Sequence, residues 1–336
     1  MNIELQPFQP EHYQGFEHLQ EISADGGAVS GRTHHLVPLS ERIDQNSKGI
    51  VAVTDGNVVG AALVSYWQLS FNGTMRPAAY LNSLVVHPEF RGKGIAGRLT
   101  RRRIDDARAD LGADIVLLAN IQSGNTPSVA NARRWAKTVV SSYKLATFKP
   151  SAKSPDIPYN VKTVADETAD IFERINNFKS RHFDVYSPYT LDSFKQWLNH
   201  PLGTNQHLLL VDDSGEAKAG ISVVENFKTS EFEIVKIPSA LRVLNKFVRM
   251  IPPDGIMRML ALGDLWYDSP QHGRLLFQHV RHEWYGKANI INVFCDPNGP
   301  YPEIYRPRFW ESQVSGQIAI SEDVPQETRF SIELLA

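Results

Sequence analysis

The sequence predicts an α/β fold of two similar domains in tandem, each a mixed central sheet flanked by helices. Three observations carry that expectation. Strand-like and helix-like runs alternate through the first half in the order β-α-β-β-β-α-β-α-β. The stretch Lys149–Asn160, "KPSAKSPDIPYN", then breaks the pattern with three prolines and no apolar periodicity. Beyond it the same grammar returns more faintly, about 175 residues downstream. The expected domains are therefore 1–150 and 160–336.

Each element has a local reason. "IELQPF" alternates as a strand, and the run from Pro10 to Ser23 reads as a helix with proline in its first turn. "GIVAVTDGNVVGAALVSYWQL" reads as two strands joined by Asp55-Gly56-Asn57, a tight hairpin signal. "AAYLNSLVV" is a strand and leads through a glycine-rich turn into a helix from Ile95 to about Ala109. "DIVLLAN" follows as a buried strand, then a helix over "SVANARRWAKT" and a last strand "VVSSYKLATF". "SGRTHHLVP", which carries His34 and His35, reads as a loop. In the second half, "HLLLVDDSGEAKAGISVVENF" is again a hairpin, and "GRLLFQHVRHEWYGKANIINVF" is again a helix, a glycine and a β-rich run. It can be laid against "GRLTRRRIDDARADLGADIVLLA" of the first half, but the glycine turn is replaced by "YDSPQHGRLL".

Composition narrows the class of function. The 336 residues carry a formal net charge of -2, with 16 Lys and Arg against 13 Asp and Glu up to Pro150 and the balance reversed afterwards. Nothing here attracts nucleic acid or an anionic membrane globally. The basic run Arg98, Arg101, Arg102, Arg103 and Arg108 is interrupted by Asp105, Asp106 and Asp110, and reads as a solvated helix. Cys295 is the single cysteine, so an intramolecular disulfide and a cysteine-based zinc site are excluded. His279, His282 and Glu283 fit no zinc-enzyme order, and no metal is expected. The N-terminal stretch lacks the apolar core of a signal peptide, and no run approaches the ~20 apolar residues of a membrane span. A cytoplasmic protein is expected.

Gly92, Gly94 and Gly97 in "RGKGIAGRL" spell G-x-G-x-x-G, yet they do not read as a dinucleotide fingerprint. Such a fingerprint follows the first strand of its domain directly and is answered by an acid closing the next strand. Here three or four strands precede the turn, "HPEFR" separates Val86 from Gly92, and the next strand closes on Asn120. What remains is a glycine turn feeding a helix N-terminus. It presents backbone N–H groups and the positive helix end to an anion, with Arg91 and Lys93 as flanking charge. A pyrophosphate suits it; so does a plain tight turn.

With the strand order around it, "VVHPEFRGKGIAGRL" resembles the acyl-CoA loop of the GCN5-related N-acetyltransferases (GNAT), in which Arg/Gln-x-x-Gly-x-Gly/Ala follows a strand. Arg91, Gly94 and Ala96 occupy the signature positions. The resemblance covers about residues 1–150, and the faint repeat extends it to a tandem form with a degenerate second copy. It implies the GNAT fold, acetyl-CoA as acyl donor and an amine acceptor of small-molecule or amino-acid-like kind. By that resemblance Leu84, Val85 and Val86 pair with the pantetheine arm like an added strand. Arg91, Gly92, Lys93, Gly94, Ile95, Ala96 and Gly97 hold the pyrophosphate, and Asn125 contacts the arm. The usual glutamate base and tyrosine acid of the family are missing: "PAAYLNSLVV" has no carboxylate, and Trp135 and Ala136 stand where a tyrosine is expected. Asn82, Tyr80 and His34 are the substitute catalytic candidates, with Tyr66, His35 and Tyr143 behind them. A homodimer, in which the second domain takes part, is one expected assembly. A CoA-binding module without catalysis and a mycothiol-synthase-like acyltransferase remain alternatives.

Overall fold

The computed structural model describes residues 2–23, 30–43, 47–164, 169–236, 239, 243, 245, 251–307, 311 and 313–331. The first half contains β1 (Glu4–Pro7), α1 (Tyr13–Ile22), β2 (Ser30–His35), α2 (Leu39–Arg42), β3 (Ser47–Thr54), β4 (Asn57–Phe71) and β5 (Thr74–Val86). It continues with α3 (Ile95–Leu111), β6 (Val116–Gln122), α4 (Thr126–Ala132) and β7 (Thr138–Phe148). The second half has β8 (Asn160–Thr163), α5 (Ala169–His182), β9 (Val185–Tyr186), α6 (Leu191–Leu198), β10 (Asn205–Val211) and β11 (Ala217–Val224). After these come β12 (Ser230–Lys236), β13 (Ile256–Met257), β14 (Met259–Tyr267), α7 (Pro270–Glu283), β15 (Ile290–Cys295) and β16 (Gln313–Ile320).

Among the described residues thirteen strands join one sheet, in the order β1-β3-β4-β5-β6-β16-β7-β15-β14-β11-β10-β8 with β9 beside β4. The Asp55-Gly56 hairpin forms as the sequence indicates, with Thr54 facing Asn57. The helix expected over Ser128–Thr138 ends at Ala132, and Tyr143 and Lys144 beyond it lie in β7. A finding absent from the linear pattern is that β16, from the chain's end, lies between β6 and β7 and pairs antiparallel with both. β7 in turn pairs with β15, so each half of the sheet is completed by a strand from the other half.

This exchange sets the direction of each half. β5 and β6 are parallel, as are β14 and β15. The antiparallel steps β6-β16-β7-β15 make the second pair run opposite to the first. The C-terminal strand ends of the two halves therefore lie at opposite edges of the sheet. The tight β4–β5 turn of the first half meets the second half's strand-end region, where the Asn72 N–H donates to the Asp184 carbonyl at 2.8 Å. Conversely, the long β11–β14 connection of the second half reaches the first. β12 pairs antiparallel with β2 from Ser230–His35 to Lys236–Ser30, and β13 extends this smaller sheet. His34 and His35 thus lie on a strand and not in the expected loop. Their pairing partner is about 200 residues away in the chain, and "SGRTHH" lacks the apolar alternation that would reveal a strand.

α3 covers one face of β3–β5 through Ile95, Leu99, Ile104 and Ala107, and α1 covers the other through Phe16 and Leu19. The second half has its own core, centred on Phe194, Leu210, Ile221, Leu260 and Leu276.

Candidate active site

β5 and β6 are hydrogen-bonded only from Ala78–Val116 to Tyr80–Leu118. Beyond Tyr80 they part, and β5 runs on to Val86 paired with β4 alone. The parting coincides with a bulge: Leu63 faces Asn82 and Ala61 faces Val85, so Ser83 and Leu84 share one position opposite Ala62. Ser83 takes φ 46°, a left-handed value unusual for a side-chain-bearing residue. The His87 N–H donates to Val59 O on the β4 side. By antiparallel alternation the Val85 backbone then turns to Ala61, while Leu84 and Val86 face the open edge. Of the three strand residues expected to meet a pantetheine arm, Val85 is thus directed into the sheet. The Val86 carbonyl is already engaged by Arg91 Nε at 3.2 Å.

At the outer end of this edge lies the glycine turn. Gly94 is the N-cap of α3 with φ 77°, and no side chain caps the helix. The N–H groups of Ile95, Ala96 and Gly97 therefore have no partner within the helix. Gly92 shares the φ of 77°, and a Cβ added at either Gly92 or Gly94 would meet nothing within 4 Å. The space over the turn is open, and the donor set suits a phosphate or pyrophosphate. Arg91, Gly92, Lys93 and Gly94 are exposed, whereas the Ile95 side chain is buried in the core below. Lys93 Nζ sits 4.6 Å from the centre of the Phe90 ring. Asn125 follows β6 at the same end, but its Oδ1 accepts the Ser128 N–H as the cap of α4.

The inner end, where the strands part, is closed by aromatic rings. Tyr80, 9% exposed, stacks on Trp67 with ring centres 5.1 Å apart. Tyr143 is buried beside Phe294. Its ring covers Gly316 of β16 so closely that a Cβ there would fall inside the ring. Burial, then the neighbouring Tyr143, pushes the Tyr80 phenol well above its ordinary value; burial likewise raises Tyr143. Both remain neutral hydrogen-bonding groups rather than bases.

Asn82 lies two residues past the last pair, with Nδ2 donating to Ser65 Oγ at 3.0 Å and Oδ1 buried without a partner. The sequence reading placed Arg103 on a solvated helix, yet it is 3% exposed. Its Nη1 donates to the carbonyls of Leu63 at 2.8 Å and Asn82 at 2.7 Å, the residues that open the bulge. Helical spacing was the available signal, since Ile95, Leu99 and Arg103 fall four apart on one face. Two of the other arginines are spent elsewhere: Arg98 on Ile3 O and Arg102 on Asp106.

The remaining candidates lie on other elements. The Tyr66 hydroxyl donates to Asp110, and burial followed by that bond raises its pKa. His34 Nε2 lies 2.8 Å from Glu233 Oε2, both side chains about half exposed, across the β2–β12 ladder. Burial lowers the pKa of His35, with Arg42 adding to the effect.

Residues 15–136 match the acetyltransferase (GNAT) family. This part of the chain is a GNAT domain. The fold likeness extends to the whole chain, which has the GNAT fold in tandem. N-myristoyltransferase from Saccharomyces cerevisiae with bound myristoyl-CoA superimposes with a TM-score of 0.64 at 12% identity, covering 95% of this chain and 82% of that one. A GCN5-related N-acetyltransferase from Kribbella flavida gives 0.53 at 14% identity, covering 94% and 70%. A probable N-acyltransferase from Enterococcus faecalis V583 gives 0.53 at 13% identity, covering 95% and 72%. No curated protein matches the sequence.

The second GNAT-like half repeats the bulge but not the loop. Gly220 faces Trp266 and Ser222 faces Gly263, which leaves Asp264 and Leu265 opposite Ile221; Asp264 has φ 45°. α7 starts directly after, with Ser269 as N-cap accepting the His272 N–H and Pro270 in the first turn. No stretch equivalent to His87–Lys93 intervenes. The Tyr267 hydroxyl donates to Pro300 O across the strand ends. His279, His282 and Glu283 are likewise separated in role: His282 Nδ1 lies 3.3 Å from Ser151 O, and Glu283 pairs with Lys287. After β15, Tyr301, Ile304 and Tyr305 are packed into the core, while Asn298–Pro300 and Glu303 line a cavity of about 640 Å³.

Proposed function

We propose that the chain is an N-acyltransferase that moves an acetyl group from acetyl-CoA to the amine of a small or amino-acid-like acceptor. The observation that carries this reading is the open edge of β5, bounded outside by the bare N-terminus of α3 and inside by Tyr80 and Tyr143. Arg91 to Gly97 would hold the pyrophosphate, and the outward groups of Leu84 and the Val86 N–H would pair with the pantetheine arm. From Val86 to Asn82 the strand covers about 13 Å at ~3.3 Å per residue. The acyl end would then lie beside Asn82 and Ser83. Beyond that point the space is taken by the packed rings of Tyr80, Trp67, Tyr143 and Phe294, which favours a two-carbon donor over a long chain.

The reaction is a direct displacement. The neutral amine nitrogen forms a bond to the thioester carbonyl carbon, the carbon–sulfur bond breaks with its electrons going to sulfur, and the proton lost by nitrogen ends on sulfur or water. The bulge fixes the backbone against which the carbonyl oxygen becomes negative, and Arg103 places a buried positive charge behind it. The neutral phenol of Tyr80 adds hydrogen-bonding capacity at the inner end. The second domain, taken as 160–336, would wall the acceptor side, with the β12–β2 ladder as its link to the first half.

Thiol release measured with acetyl-CoA and with myristoyl-CoA over a panel of amines tests the reading. Turnover with acetyl-CoA, at least a hundredfold above that with myristoyl-CoA, is expected. Comparable turnover of the long donor overturns the donor assignment, and CoA binding without turnover for any amine leaves a binding module.

A further inference from the structure

Asn82 has a counterpart that neither the motif nor the family signature points to. β5 and β6 are parallel with Tyr80 registered on Leu118, so Asn82 on β5 and Asn120 on β6 stand at the same level, two residues past the last pair. By strand alternation both share the face of Tyr80 and Leu118, which belong to one packed cluster with Tyr143. The Asn82 amide nitrogen is fixed by Ser65 Oγ, itself 2.7 Å from Ser47 Oγ. The Asn120 side chain lies near the Tyr143 hydroxyl, whose pKa it lowers against the effect of burial. With its amide nitrogen committed, Asn82 has its oxygen left to offer. Asn82 Oδ1 and Asn120 Oδ1 are both buried without a partner. A buried acceptor left unpaired is costly, so two at one level on parting strands are a feature in need of donors.

We propose that Asn82 and Asn120 form the acceptor-amine subsite, their two side-chain oxygens accepting the two N–H bonds of a primary amine. The inference rests on the N-acyltransferase reading above and assigns its acceptor site. A primary amine held in this way has its lone pair as the remaining direction, and that lone pair is turned toward the acyl carbon beside Ser83. As the carbon–nitrogen bond forms and the carbon–sulfur bond breaks, one of the two held N–H protons leaves for sulfur and the amide keeps the other. A secondary amine offers one N–H and leaves one oxygen unpaired. The subsite therefore selects primary amines through its hydrogen-bond count. Asn120 acts on the acceptor alone, because the donor contacts lie along β5 and the glycine turn, from Asn82 to Gly97.

The test uses the full chain with acetyl-CoA and the pair benzylamine and N-methylbenzylamine. Asn120→Ala and Asn82→Ala should each raise KM for benzylamine about tenfold, the worth of one hydrogen bond, and Asn120→Ala should leave KM for acetyl-CoA unchanged. The preference for benzylamine over N-methylbenzylamine should shrink by a similar factor, a readout that loosened packing alone does not move. Asn120→Asp, which keeps size and an acceptor oxygen, serves if the alanine variant fails to fold, and it should retain the primary-amine preference. Unchanged amine KM and selectivity in folded variants overturn the asparagine subsite while leaving the acyltransferase reading intact. A parent protein that turns over neither amine nor any other of the panel overturns the reading on which the subsite rests.

Discussion

Each half of the molecule bends its fourth sheet strand with a residue in left-handed conformation, Ser83 in one and Asp264 in the other, and each bulge is held by a buried cation. The way it is held differs. Arg103 reaches the first bulge from α3 and bonds two backbone carbonyls, leaving the Ser83 side chain exposed and the strand edge open. Lys179 reaches the second from α5 and bonds the Asp264 carboxylate at 2.5 Å, with both side chains 5% exposed. The Tyr189 hydroxyl and Ser222 Oγ donate to the other carboxylate oxygen. Behind them the Trp266 indole N–H donates to His207 Nε2, which leaves His207 Nδ1 to donate to Ser222. The same backbone device serves an open edge where its side chains stay out of the way, and a sealed interior where they fill it.

The largest difference to break is ligand binding. Gly94→Glu adds a side chain at φ 77° and a negative charge to the bare end of α3, so CoA binding measured by calorimetry should be abolished. Lys93→Ala, which removes a charge lying over Phe90, should weaken it by less than about tenfold. The parent should bind one CoA per chain, because the second half lacks the loop. A stoichiometry of two, or a Gly94→Glu protein binding as the parent does, contradicts the contrast between the halves.

Next in size is the stability held at the second bulge. Burial alone would raise the pKa of Asp264; the charge of Lys179, and bonds from Lys179 and Tyr189, overcome it and hold the carboxyl below its usual range. Lys179→Met leaves that charge buried and uncompensated, at a cost of about 3–5 kcal/mol in urea unfolding. Ser83→Ala at the exposed first bulge should change stability by under ~0.5 kcal/mol. Equal effects at the two bulges would remove the distinction between an open and a sealed cleft.

A smaller, pH-dependent effect belongs to the same buried chain. Burial lowers His207 to about 4, so the unfolded state gains its proton first and stability falls as pH drops from 6.5 toward 4, by up to ~3 kcal/mol. Asp296 works against this. Burial raises it to about 6, and a raised acid favours the folded state as pH falls from 6 toward 3.8. The parent should therefore show a shallow dependence below pH 6, and Asp296→Asn should reveal the His207 decline. A flat profile in that variant would show that His207 does not stay neutral.

The parts of this contrast that were legible in the sequence are the locally encoded ones. The glycine turn, the hairpin at Asp55-Gly56 and the loss of the loop in "YDSPQHGRLL" all depend on neighbours in the chain, so residue type at a fixed spacing reveals them. Asn82 was legible as a polar residue in a largely apolar strand. Asn120 was not, because it ends "DIVLLAN" and gains meaning only from registration with β5. The insertion of β16 between β6 and β7 and the pairing of β2 with β12 depend on contacts between distant segments, which periodicity does not carry. Glu233 was missed for the same reason, since it meets His34 only through that ladder.

The smallest expected effect lies at this ladder. His34 and Glu233 are about half exposed, and an exposed pair contributes under ~1 kcal/mol, so His34→Ala and Glu233→Gln should barely alter unfolding. Their kinetic signature sharpens the contrast further. If the open cleft relies on neutral Asn82, Asn120 and Tyr80 and not on a base, the reactive fraction is set by the amine itself. The logarithm of kcat/KM should then rise by about one for each pH unit below the amine pKa, because each unit increases the neutral fraction about tenfold. Parent, His34→Ala and the His34→Ala, His35→Ala double variant should give superimposable profiles. A limb near pH 6.5 in the parent that disappears in the variants would make an imidazole the base. The chemistry would then depend on the strand lent by the ladder to Glu233, and the second domain would become part of the catalytic centre instead of its wall.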